Sequence, residues 1–149
     1  MRLFWKLFCS MVIITALACS LGGFILIDGQ FRTGLDARAE TMMTENALLR
    51  RTFLRELQFA GGADQASAVR LAEETCAQAE QRGIFFRLVG SHGQILTGSR
   101  LPAESGLAQS LGEGRHGWEL LRSRERSYLH ASSPMVLEDC VVYLENWCG

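Results

Sequence analysis

The sequence predicts an α+β fold in which a transmembrane helix continues into a long helix packed on an antiparallel sheet of about five strands. Three observations predict it. Twenty-one uncharged residues separate Lys6 from Asp28. Between Gln30 and Gln58 apolar residues recur at alternating steps of four and three, as on one face of a helix. In the second half of the chain, short apolar runs alternate with turn signals, as strands of a sheet do.

The first element is the run Leu7 to Ile27 in KLFCSMVIITALACSLGGFILID. A helix rising about 1.5 Å per residue needs about 20 apolar residues to cross a hydrocarbon core of about 30 Å, and this run fits. A secretory signal is shorter and ends in a small-x-small cleavage site. Ala16 and Ala18 supply that pattern and Cys19 follows it, but Leu21, Phe24, Ile25, Leu26 and Ile27 carry the apolar run past the supposed cut. The expectation is an uncleaved span, with cleavage, with or without a lipid on Cys19, as the alternative. Arg2 and Lys6 precede it and Asp28 follows, so the positive-inside rule puts residues 1–6 in the cytoplasm and everything after the span outside.

About 120 residues remain after the span, enough for one core. They carry all 16 acidic residues and all but two of the 15 basic ones, a net charge near −3 that gives no electrostatic case for nucleic acid. Cys76, Cys140 and Cys148 lie outside the span. Their spacing names no disulfide pair, and buried thiols are the expected reading.

The second element is a helix over 28–60 with Leu35, Ala39, Met42, Asn46, Leu49 and Phe53 on one face. No strong breaker separates it from the span; Gly29 and Gly34 only weaken the junction. The stripe has two readings: a seam with a second copy of the chain, formed by Leu35, Met42, Leu49 and Phe53, or packing on the protein's own domain. Gly61-Gly62 ends this helix, and Asp64 is placed to N-cap another that runs to Gly83, with Val69, Ala72, Cys76 and Ala79 inward. Ile84–Val89 and 94–97 form a hairpin around Gly90-Ser91-His92-Gly93. Pro102 opens a short helical stretch, PAESGLAQSLG, and three strands follow at 117–123, 127–133 and 140–146, with Pro134 to Asp139 as the last turn.

MRLFWKLFCSMVIITALACSLGGFILIDGQF followed by ENALLRRTFLREL resembles the amino terminus of a bacterial membrane-bound sensor histidine kinase of a two-component system. The later order, with GIFFRLVGSHGQILTGS as first hairpin, resembles the PAS-like, or Cache-type, sensor domain between the two membrane helices of such kinases. The family's D-x-x-G pattern in that hairpin turn is replaced here by Ser91-His92-Gly93. On this resemblance, residues 61–149 are an extracytoplasmic sensor domain, 28–60 a signalling helix, and the chain the input portion of a receptor, truncated before its second membrane helix. A homodimer is implied, with a small-molecule or peptide signal. A response regulator would be reached only through a kinase module that this chain lacks. The alternative is a membrane-anchored binding or scaffold protein, complete in itself.

Catalytic chemistry finds no support in the residues. His92 and His116 are each followed by Gly and His130 by Ala, no Gly-rich phosphate loop lies between a strand and a helix, and no nucleophile elbow is present. No cofactor is expected, and no metal, since the histidines lack ligand partners at suitable spacing. In PAS-like domains a ligand enters on the sheet face away from the long helix, beneath the connection before the third strand, here Leu101 to Arg115. The resemblance therefore nominates Trp118, Tyr128, His130 and Tyr143 as walls and Arg87 as anchor for an anionic group. Tyr128 and His130 share a face by their period of two. The competing reading is that the aromatics only fill the core.

Overall fold

The computed structural model describes residues 2–103, 105 and 116–149, which divide into two compact units, Met1–Arg38 and Ala39–Gly149. One helix, α1 (Arg2–Phe59), passes through both. It contains no proline, and Gly29 and Gly34 leave its hydrogen bonding intact. In the first unit it is long and apolar enough to cross a membrane, with none of its apolar window buried. Leu7, Ile13, Leu17, Phe24 and Ile27 are all exposed there, as side chains facing lipid would be.

In the second unit α1 buries Ala39, Met42, Asn46, Phe53 and Leu57, and Leu49 packs against the same core. This is the face marked by the four-three spacing. Its partner is the chain's own sheet: Phe53 and Leu57 cluster with Phe86, Leu88 and Leu144. Met42 and Phe53 are buried in this packing, whereas Leu49 is half-buried beside it. Leu35, in the first unit, is half-buried.

The helix ends where Gly61, at φ 88, turns the backbone back. Helix α2 (Gln65–Gln81) follows with Asp64 at its N-cap, but the Asp64 side chain makes no capping bond. Asp139 instead accepts from the Gln65 N–H at 3.0 Å. Of the residues expected inward on α2, Ala72 is buried and Cys76 and Ala79 pack partly buried against the core; Ala68 is buried in place of the half-buried Val69. Gly83, at φ 76, closes the helix, with the Ile84 N–H returning to the Ala79 carbonyl at 2.9 Å.

Five strands complete the unit: β1 (Phe85–Gly90), β2 (Ile95–Gly98), β3 (Gly117–Arg122), β4 (Ser127–Val136) and β5 (Val141–Cys148). They form one antiparallel sheet in the order β2-β1-β5-β4-β3. The β1–β2 turn falls where Gly90 to Gly93 predicts it. Strand β4 runs past its expected end to Val136. Its pairing with β3 stops at Ser132, whereas its pairing with β5 continues to Val136. Pro134 therefore sits at a local edge, where its missing N–H costs no ladder bond. Of the short helical stretch expected at 102–112, Pro102, Ala103 and Ser105 are described and are not helical, and 104 and 106–112 lie outside the described residues.

Alternation along the strands gives the sheet two different faces. Phe86, Leu88, Met135, Val142 and Leu144 face the helices; Arg87, His130, Tyr143, Glu145 and Trp147 lie on the other face by register. Gly98 holds the end of β2 tight against β1: its φ is 118, and a Cβ there would stand 2.4 Å from the Arg87 Cα and 2.6 Å from the Phe86 carbonyl oxygen. Gly98→Ala is expected to lose about 1–3 kcal/mol of stability through backbone strain and that clash. Thermal unfolding of the detergent-solubilised chain checks it, and an unchanged midpoint would contradict the close approach.

Candidate functional site

Arginine and glutamate inside apolar strands are costly unless they find each other, and on the open face of the sheet they do. Arg87 of β1 stands opposite Glu145 of β5, and its Nε donates to Glu145 Oε2 at 2.6 Å. The next strand brings His130, fully buried, with Nε2 3.2 Å from the same carboxylate oxygen. That approach is close enough for an ion pair but is not aligned as a hydrogen bond. On its other side His130 Nδ1 lies 2.9 Å from Glu119 Oε1 of β3 and 3.1 Å from Ser105 Oγ, and the Ser105 hydroxyl donates to the same Glu119 oxygen. A polar relay, Arg87–Glu145–His130–Glu119, thus crosses four strands.

The aromatic neighbours are ordered around it. Trp147, opposite His130 in the ladder, meets the imidazole edge-on at 6.4 Å and stacks on Phe85 at 6.3 Å. Burial is the largest influence on the Glu145 carboxyl and opposes its ionisation, but His130 and Arg87 together outweigh it and hold the group below its ordinary value. Glu145 Oε1 and the neighbouring Ser132 hydroxyl are buried without a hydrogen-bond partner among the described residues. Ser132 pairs with Glu145 across β4 and β5, so these two polar groups share one small patch. A cavity of about 930 Å³ opens alongside, lined in part by Arg87, Ser99, Arg100 and Ser105.

Of the residues nominated from sequence, Arg87, Tyr128, His130 and Tyr143 share this face by register, whereas Trp118 does not. Trp118 pairs with Ala131, so it stands on the helix side with Leu120 and Leu129. Arg87 is paired with Glu145, which balances its charge. The rest of the connection expected above this face, 104 and 106–115, lies outside the described residues. Glu119, Glu145 and Trp147 were not nominated. One signal was available: a glutamate in the apolar run VVYLENWC and an arginine in FFRLVG can both be buried only as a pair.

A second buried polar group lies on the opposite face, where α1 meets the sheet. Asn46 donates from Nδ2 to Asn146 Oδ1 at 2.7 Å and to the Leu144 carbonyl at 3.1 Å. The Ser133 hydroxyl donates to Asn46 Oδ1, and Arg50 reaches the Pro134 carbonyl at 3.1 Å. These bonds set the position of α1 along β4 and β5 in a way that apolar packing alone would not. Among the described residues no three His, Cys, Asp or Glu side chains come together as a metal site. Compared with family models, curated proteins and solved structures, the chain matches none.

Proposed function

We propose that this chain is the signal-input portion of a membrane-bound receptor of the two-component sensor kinase type, with residues 61–149 as a PAS-like domain outside the cell. One observation carries the reading. The helix that supplies the membrane-length apolar run is the same helix, Arg2–Phe59, that buries Met42, Asn46, Phe53 and Leu57 in the sheet domain. A rearrangement of the sheet that displaced Asn46 would act on a helix whose other end lies in the bilayer. The stimulus acts through its differential affinity for two arrangements of the domain. A second copy of the chain would pair along the side of α1 left outside the sheet, where Leu48 is exposed.

The test is topology. Mass spectrometry of the membrane fraction is expected to find the intact amino terminus, and reporter fusions after Gly149 are expected to be active only outside the cytoplasm. A mature chain beginning at or near Cys19 would remove the membrane helix and with it this function.

A further inference from the structure

We propose that His130 is a proton-binding site through which the domain responds to pH, with Glu119 and Glu145 as its two carboxylate clamps. As a stimulus this rests on the receptor reading above; as a site for a proton it does not. The geometry makes the argument. A neutral imidazole has one N–H and one bare lone pair, whereas an imidazolium has two N–H donors. His130 presents both ring nitrogens to carboxylate oxygens, Nδ1 to Glu119 at 2.9 Å and Nε2 to Glu145 at 3.2 Å. Only the protonated ring can face both with hydrogen.

The charges agree. With a proton on His130, the relay reads positive, negative, positive, negative from Arg87 to Glu119 and sums to zero. Without it, one nitrogen lone pair is pressed against a carboxylate and a net negative charge is left in a buried setting, where such repulsion is poorly screened. The charged or titratable groups on the ring's side of the sheet are Glu145 from β5, with Tyr143 further along that strand, Glu119 from β3, Arg87 behind Glu145 from β1, and Tyr128 two residues away on β4 itself. Ser105 adds a hydroxyl. Glu119, with its side chain 28% exposed, is the member of the relay that water reaches. Rising pH therefore removes one of the two charge-assisted contacts by which His130 of β4 meets Glu119 of β3 and Glu145 of β5.

Trp147 provides an internal reporter, being edge-on to the imidazole. The experiment uses the full ¹⁵N-labelled chain in detergent micelles, scanned through the range of about pH 5 to 8 in which imidazole ordinarily changes charge. Long-range ¹H–¹⁵N spectra are expected to show both His130 nitrogens protonated at the acid end and one proton lost at the alkaline end. In a Trp5→Phe, Trp118→Phe background, Trp147 emission is expected to titrate in step. His130→Gln should abolish that transition and Glu119→Gln should move it to lower pH, while His92→Gln and His116→Gln leave it in place. A His130 ring that is neutral throughout, or an emission titration that persists in His130→Gln, overturns the proposal. Should His130→Gln fail to fold, the spectrum of the unsubstituted chain still decides. A titrating ring in a chain that proves to be cleaved near Cys19 would leave the proton site standing and remove the receptor, so the two ideas fail separately.

Discussion

Glu145→Ala is expected to destabilise the second unit by about 3–5 kcal/mol, the cost of leaving buried charge without its partner. Arg87 and His130 both lean on this carboxylate, and its side chain is only 1% exposed, so water cannot take its place. Urea unfolding followed by Trp147 emission measures the loss. The pH dependence carries a sign of its own. Glu145 is held below its ordinary value of 4.5, so the unfolded chain takes up the proton at higher pH than the folded one. The stabilisation is therefore complete above that ordinary value and fades as pH falls through the lower, folded value. Glu145→Ala should lack this acid-side loss. A double replacement, Arg87→Met with Glu145→Leu, should recover much of the stability, because an apolar pair of similar volume needs no desolvation. A single variant as stable as the parent would mean that the relay is not a buried ionic network.

The parts of this fold that were legible in sequence are those governed by a local period. The apolar run, the four-three face of α1, the glycine stops and the first hairpin turn each depend on residues close in the chain, and each is found near its expected place. What sequence could not supply is register. Arg87 and Glu145 lie 58 positions apart, and nothing local to either says that β5 sits beside β1. The same limit explains Trp118. Its aromatic ring suited a pocket wall, but the side it faces is decided by its pairing with Ala131, and a shift of one residue would have reversed it. The stripe on α1 was ambiguous for a related reason: a helix face presents the same spacing to a second helix or to its own sheet, and only the strands' positions choose between them. Asn46 was the hint, since an asparagine on an apolar face needs partners, and Asn146 and Ser133 provide them.

Leu57→Ala is expected to cost about 2–5 kcal/mol, the range for deleting a buried leucine when the surroundings close only partly around the void. Leu57 is completely buried, in a cluster with Phe53, Ala68, Phe86 and Leu144, so it joins the last turn of α1, helix α2, the central strand β5 and its neighbour β1. The void cannot be refilled cheaply. Ala68 and Ala72 of α2 are too short to reach into it, and the Asn46 bonds to β5 resist a slide of α1 along the sheet. Leu48, on the same helix but 58% exposed, is the matched control, and Leu48→Ala should change stability by less than about 0.5 kcal/mol in the monomeric chain. The comparison also separates packing from pairing. If α1 met a second chain through the Leu57 side, Leu57→Ala would lower stability in proportion to lost association and its effect would depend on protein concentration. Packing on the chain's own sheet makes the effect independent of concentration. Unfolding curves for both variants at two concentrations tenfold apart therefore read out which surface α1 has used.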